Sequence, residues 1–495
     1  MYSIFFLYSR YYSNVNKKWS RRGVPGPTPE LFLGNLRSTW DYDKPRSIVI
    51  RDWSKKYGKI YGFYEGQVPH LVISDYDMLN EIIVKKFDHF YARARFLMQE
   101  RKDGPNTRIT EARGPHWKRL RTLGSMAFTQ KSLKNIITTV EHSASTVVDG
   151  MAEQAGEVNV LRFYQEYTLD VICKVALGMH DIKMFENEYL NTCIEIFSRP
   201  LRNPATVIAS IIPFAVDEIR ACFMLLFKLL PRPSPFFVLM KMLKANVEQR
   251  RKERETNGNE ATGDFIDLFL DAEVDASEVQ FGENSDTAKK LSSDEIVGQC
   301  FIFLLAGFDT TSNSLAYTTH FLANYPEVQK KLVEEINDFL LKNETLELDK
   351  LNDLKYMEAV IKESLRHYPL ASLAVTRECS KACEINGFKF EVGDNIATDT
   401  WSMHMDEKVW GEDAKEFRPE RWLEDSSRPR AAFQSFGEGP RICLGMRLAY
   451  MEEKMALIKL LSRFSIEKTP QTNPVKLVGS HTVSPEKVMV KLVQR

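Results

Sequence analysis

The chain lacks a hydrophobic run long enough to cross a bilayer: the apolar stretch from Ile4 to Tyr8 stops at Ser9 and Arg10, far short of the ~20 residues a spanning helix needs. It also lacks a charge surplus. Lysine plus arginine and aspartate plus glutamate each number 67, so there is no general electrostatic pull toward nucleic acid, and no nucleic-acid motif is present. Cysteine is scarce, with seven in 495 residues, odd in number and without CxxC pairs. That argues against a disulfide framework and for a reducing compartment, where the sequon Asn343-Glu344-Thr345 is idle. No repeat and no long low-complexity linker divides the chain, which argues for one large domain around one core.

One of the few cysteines stands out. Cys443 lies in Phe436-Gly437-Glu438-Gly439-Pro440-Arg441-Ile442-Cys443-Leu444-Gly445 with no second metal ligand nearby. A lone thiolate holds neither zinc nor an iron–sulfur cluster, which take about four protein ligands, but it can serve as the axial ligand of a haem iron. Helical spacing of Leu448, Met451, Met455, Ile458 and Leu461 puts Cys443 at a helix start, where free amide N–H groups and the dipole lower a thiol pKa. Gly437, Gly439 and Gly445 allow close approach to a flat cofactor, Arg441 suits a carboxylate on it, and Phe436 suits a screen for the sulfur. A buried structural cysteine is the alternative on spacing alone.

Elsewhere, apolar alternation from Lys59 to Ser74 around Gly66 predicts a hairpin. Gly114-Pro115 opens a helix that carries Trp117 and Arg121 on one face. Val207 to Val216 and Phe223 to Met242 are too apolar for ordinary loops, and closely set prolines forbid a span there. Glu253 to Ala288 reads as a polar connection around the short apolar stretch Phe265 to Leu270. Ser292-Ser293-Asp294-Glu295 has capping-box spacing and starts a helical pattern that Pro326 stops, roughly 45–50 Å of helix. Its middle, Phe301 to Phe308, is apolar all round and reads as buried. Beside it stands Ala306-Gly307-Phe308-Asp309-Thr310-Thr311, in which the Thr310 hydroxyl can take the Ala306 carbonyl four residues back. Glu363 and Arg366 share a face of a later amphipathic helix, and Asn386-Gly387 is a hairpin turn within Cys383 to Val392.

Phe436, Gly439, Arg441, Cys443 and Gly445 match every fixed position of Phe-x-x-Gly-x-Arg-x-Cys-x-Gly, and so the stretch resembles the cysteine loop of the cytochromes P450, the haem-thiolate monooxygenases. The resemblance runs from Pro25 onward and is strengthened by Trp117-x-x-x-Arg121, Glu363-x-x-Arg366 and Phe417-x-Pro419-Glu420-Arg421. It implies a mainly α fold with small β-sheets, a haem-binding domain at 25–495, and a short N-terminal segment, 1–24. That segment reads as the remnant of a membrane anchor with the basic cluster Lys17, Lys18, Arg21 and Arg22, a solvated tail being the alternative. By the same resemblance Cys443 is the axial ligand of haem b. Trp117, Arg121, Arg377 and Arg441 hold the propionates, and Phe436 lies by the sulfur. Asp309 and Thr310 deliver protons to dioxygen, while Glu363, Arg366 and Arg421 serve folding and haem retention. Phe301, Phe308, Leu370 and Leu373, with Phe96 and Leu97 as further candidates, line the substrate pocket.

The microsomal members of that family imply the cytosolic face of the endoplasmic reticulum membrane, with the apolar patches between Val207 and Met242 as a substrate-channel lid that dips into the bilayer. The chain has no GxGxxG fingerprint of its own, so electrons are imported. The resemblance implies NADPH–cytochrome P450 reductase as the donor, with cytochrome b5 as a second, docking near Lys118, Arg119 and Arg447. The expected reaction is insertion of one oxygen atom into an apolar xenobiotic, steroid or fatty acid. A reductase-independent isomerase of the same fold and a non-catalytic haem sensor are the alternatives; the Asp309–Thr310 pair favours the monooxygenase.

Overall fold

A computed structural model of the chain describes residues 10–95, 99, 103–154, 156–198, 204–228, 234–256, 264–274, 290–371, 374–424, 427–479 and 482–495. Ile4 to Tyr8, Phe96, Leu97, Leu373 and most of the polar stretch after Glu253 lie outside these residues. The molecule is mainly helical with small sheets.

The alternating runs form the antiparallel hairpin β1 (Ile60–Glu65) and β2 (Val68–Ile73). Its turn needs Gly66, whose φ is +61° and where a Cβ would lie 2.3 Å from the Ser210 carbonyl oxygen. β3 (Thr376–Glu378) and β4 (Asn395–Thr398) complete the sheet in the order β1-β2-β4-β3, with β2 and β4 parallel. The chain before Pro25 is neither a solvated tail nor a separate segment where it is described. Trp19 is buried against Gly62, and Lys18 and Arg22 both reach the buried Asp394, at 2.6 and 2.9 Å. Distant pairing of this kind leaves no local trace in sequence.

Helix α1 (Gly114–Met126) starts with Pro115 in its first turn, and α2 (Val160–Leu177) is apolar on nearly every face and buried accordingly. Next come α3 (Pro204–Ile211), α4 (Val216–Lys228) and α5 (Pro235–Thr256). Ile208, Phe214, Leu225 and Leu226 stand exposed on this region. Pro213 opens a 3-10 turn between α3 and α4. Phe265–Leu270 is a helix with Phe265 and Phe269 in the core rather than part of a connection. Among the described residues no helix is long and apolar enough to cross a membrane.

The central element is α6 (Ser293–Asn324), 32 residues and about 48 Å long. The Ser292 hydroxyl accepts from the Glu295 N–H and the Glu295 carboxylate accepts from the Ser292 N–H, so the capping box is closed. Helix α2 crosses α6 at Gly307, where a Cβ would come within 2.8 Å of Ile172 Cδ1; the Thr168 hydroxyl donates to the Phe308 carbonyl in the same crossing, at 2.8 Å. A side chain at Gly307 would therefore have to displace the Ile172 side chain. Helix α7 (Lys355–His367) and helix α8 (Met446–Leu461) pack against α6 on the side of the cysteine loop. Near the C-terminus the short strands β5 (Leu477–Val478) and β6 (Ser484–Pro485) bring the loop between them onto α6.

Candidate active site

Cys443 sits two residues before Gly445, the N-cap of α8. Gly437 and Gly439 both adopt φ +73°, and a Cβ on Gly439 would come within 2.2 Å of the Ile83 carbonyl oxygen. Only glycine lets the strand fold back there, so that the Cys443 N–H donates to the Phe436 carbonyl at 2.9 Å. The thiol opens onto a cavity between this loop and α6, and Cys443 is the one cysteine on its wall. The backbone N–H groups of Gly445 and Met446 point at the sulfur and, with Arg121 and Arg93, pull its pKa down. Burial outweighs them and raises it. The helix-start groups therefore act in the direction the sequence suggests, and desolvation of the anion opposes them.

The opposite wall comes from one stripe of α6: Ile302, Phe303, Ala306, Gly307, Thr310, Thr311 and Ser314. The Thr310 hydroxyl donates to the Ala306 carbonyl at 2.7 Å. Helix α6 stays continuous through this point, so the hydroxyl bond adds to the turn without breaking the helix. Asp309 lies off the stripe. It is buried on the flank of α6, where Oδ2 accepts from Thr482 Oγ1 at 2.5 Å and from Asn313 Nδ2 at 3.0 Å. Burial pushes its carboxyl up to about 6 against these two donors. The acid and the alcohol are neighbours in sequence but face different surroundings, a correction to their reading as one pair in the groove.

The pocket candidates also need correction. Leu370 lines the cavity, but Phe301 and Phe308 do not. Phe301 packs on Phe236 with Arg108 over its ring, at 5.2 and 4.6 Å, and Phe308 is fully buried with its ring 6.2 Å from Phe197. In a helix apolar all round, hydropathy carries no phase. The apolar wall is instead Ile302, Phe303, Ala306, Leu370, Ala374 and Val375.

Arginines dominate one end of the cavity. Arg441 is buried over the face of Trp117, 4.5 Å from the ring centre, and donates to the carbonyls of Tyr91, Ile109 and Ala112 at 2.9, 3.3 and 2.6 Å. Arg121 donates to the Ile442 carbonyl at 2.7 Å. Arg377 is buried, and among the described residues it has only the neighbouring Thr376 carbonyl as a partner, with none at its Nε. Arg93, which sequence reasoning missed, also lines the cavity, and its Nε has no partner among the described residues. Burial and mutual repulsion push Arg377 down to about 9 and Arg93 down to about 10. Stacked positive charge without a carboxylate partner calls for an anionic ligand. Trp117 completes this end of the wall, and Phe436 lines the cavity with its ring against Tyr450, 5.2 Å away.

Two carboxyls, Glu452 and Glu453, escaped the sequence reading, whereas the Glu363, Arg366 and Arg421 cluster was expected. Glu452 and Glu453 of α8 are buried at the far side of the cavity. Ser314 donates to Glu453 at 2.9 Å, one oxygen of each carboxyl has no partner, and burial raises both, Glu453 to about 8. Behind α7, Glu363 accepts from Arg366 (2.9 and 2.8 Å), Arg421 (2.9 Å), the Trp422 indole N–H (2.9 Å) and the Arg418 N–H (3.0 Å). These charges satisfy one another outside the cavity.

Comparison with known proteins decides the assignment. The family model for cytochrome P450 matches residues 24–492. The chain is 42% identical over 509 residues to the Caenorhabditis elegans protein named "Putative cytochrome P450 CYP13A2", covering 100% of this chain and 98% of the relative. It is 41% identical over 506 residues to that organism's "Putative cytochrome P450 CYP13A3", covering 98% and 96%.

The chain belongs to the cytochrome P450 family.

As a cytochrome P450 it is a haem-thiolate monooxygenase, an oxidoreductase that takes O2, an apolar substrate and electrons from a redox partner. The cavity fits the group the family implies. It offers one thiol and an apolar wall, and at one end the arginines Arg93 and Arg377, which no carboxylate of the described residues pairs, as the carboxylates of a haem would require.

Proposed function

We propose that this cytochrome P450 hydroxylates a large apolar molecule of the steroid, fatty-acid or xenobiotic class, using electrons from NADPH delivered by a separate flavoprotein reductase. The observation that carries the reading is Cys443 on the wall of the same cavity as Thr310, with apolar side chains between them and arginines at one end. In this reading Cys443 is the axial ligand of haem b, and Arg93, Arg121, Arg377 and Arg441 with the Trp117 indole hold its propionates. When bound, the haem supplies oxygen activation, and thiolate ligation favours it by pushing electron density to the iron. The protein's own share is to orient substrate against Phe303, Leu370 and Val375, exclude water, and hold a proton donor at the Thr310 hydroxyl. Glu363, Arg366 and Arg421 act on folding.

Reductase, with cytochrome b5 as a second donor, docks on the cysteine-loop side at the exposed Lys118 and Arg447. Arg119 leaves this surface: it is buried and bound to Glu295 at 2.6 Å. The exposed Ile208, Phe214, Leu225 and Leu226 rest on the cytosolic face of the endoplasmic reticulum membrane. The test is reductase-supported NADPH consumption with a panel of steroids, fatty acids and drugs. Oxygenated product that tracks NADPH supports the reading; rearranged peroxide without NADPH makes the protein an isomerase, and haem binding without turnover makes it a sensor.

A further inference from the structure

In the monooxygenase reading a proton has to reach Thr310, and the nearest acid in sequence, Asp309, faces the C-terminal loop rather than the cavity. Asp309 is 3% exposed, and among the described residues no cation pairs with it. Its two donors belong to a closed polar ring. Asn313 Nδ2 also donates to Ser484 Oγ at 2.9 Å, and the hydroxyls of Thr482 and Ser484 are 3.1 Å apart. The titratable groups that face it are Tyr317 on α6, whose hydroxyl donates to the Val483 carbonyl at 3.1 Å, and Tyr42 from the N-terminal part of the chain. The same loop reaches the cavity wall from its other side, because the Val483 N–H donates to the carbonyl of Leu370 at 2.9 Å. Thr482 holds the acid while its neighbour holds the substrate wall.

We propose that Thr482 is a positioning residue for proton delivery: it turns the Asp309 carboxyl onto the C-terminal loop and, through Val483 and Leu370, ties that orientation to the wall against which substrate packs. This rests on the monooxygenase reading for its purpose, but the positioning is independent of turnover. A hydroxyl that donates to a carboxylate favours the ionised form, so its loss raises the carboxyl pKa. A donor to a charged group is worth about one pH unit or somewhat more.

The test begins with the ferric, substrate-free, haem-loaded protein, without electrons. The infrared C=O stretch of protonated Asp309, identified by its disappearance in Asp309→Asn, is followed against pH in the parent, Thr482→Val and Thr482→Ser. The expected result is a parent midpoint near 6, an upward shift of about one unit in Thr482→Val, and a Thr482→Ser midpoint close to the parent's. An unmoved midpoint in Thr482→Val, or an equal shift in Thr482→Ser, overturns the proposal. Thr482→Ala serves if the valine variant does not fold. In turnover, the pH at which product per NADPH falls should move up by the same amount in Thr482→Val. A shifted infrared midpoint with an unmoved coupling profile overturns the link to proton delivery. Absence of any NADPH-supported product would count against the monooxygenase reading while leaving the infrared result in place.

Discussion

Two groups of arginines in this chain differ in what surrounds them. Arg366 and Arg421 are fully buried, and each meets Glu363 and backbone carbonyls: His404 and Ala414 for Arg366, Trp410 and Asp413 for Arg421, all at 2.7–3.0 Å. Arg93 and Arg377 stand on the cavity wall with nitrogens that have no partner among the described residues and with other arginines for neighbours. Burial of a charge is costly unless it is paired. The first group is therefore complete within the protein and serves its stability; the second is complete only with an anion in the cavity. What separates a structural arginine from a binding one here is the presence of an acid, and neither residue type nor burial alone tells them apart.

The largest effect is expected from opening the completed group. Glu363→Ala leaves the buried Arg366 without its acid and Arg421 with the Asp413 carboxylate alone, at 3.2 Å, and should lower stability by about 3–5 kcal/mol, read by denaturant unfolding. The carboxyl of Glu363 is held far below its usual 4.5 by Arg366, His367 and Arg421, against a burial effect that raises it. A carboxyl depressed on folding contributes stability that is present above its unfolded pKa and lost as pH falls toward the folded one. The stability gap between parent and Glu363→Gln should accordingly stay level above about pH 5 and close progressively below about pH 4.5.

The incomplete group should respond with the opposite sign in its two states. Arg93→Leu and Arg377→Leu remove repelled, buried charge, so the haem-free protein should keep or gain stability, while haem retention falls by about 10–100-fold, the loss of one charge-assisted bond. Haem transfer to apomyoglobin measures it. If both variants destabilise the haem-free protein as Glu363→Ala does, the distinction between the groups is wrong.

A smaller effect is expected at Thr310→Val, which keeps shape and removes the hydroxyl bonded to Ala306. NADPH consumption should continue while product falls severalfold and hydrogen peroxide rises. Thr311, which lines the same cavity, provides the control: Thr311→Val should change coupling much less. The smallest effect on the folded protein itself should come from Leu225→Glu with Leu226→Glu, both exposed: stability should stay within about 0.5 kcal/mol while binding to neutral liposomes weakens by about tenfold or more.

Local features were legible in the chain. The hairpin at Gly66, the turn at Asn386-Gly387, the capping box at Ser292 and the bond from Thr310 to Ala306 each depend on residues within a few positions, and the cysteine loop carries its glycines with it. What escaped depends on distant partners. Arg93 is one arginine in an extended segment without periodicity, and only the fold brings it beside Arg377. Glu452 and Glu453 read as a charged helix face until α8 is placed under Ser314 of α6. The family resemblance places Phe301 and Phe308 in the pocket, and hydropathy in an all-apolar helix does not show which face turns to it; Thr482 lies 173 residues from the acid it holds.

The central claim is that Cys443, through its sulfur, is the protein's bond to the haem iron. The most direct measurement is the difference spectrum of the reduced, carbon monoxide-bound protein, taken for the parent and for Cys443→Ser at equal haem content. The account predicts the strongly red-shifted Soret band of a thiolate-ligated haem in the parent and its complete loss in Cys443→Ser. A parent spectrum of the histidine-ligated type, or a red-shifted band that survives in Cys443→Ser, would contradict it.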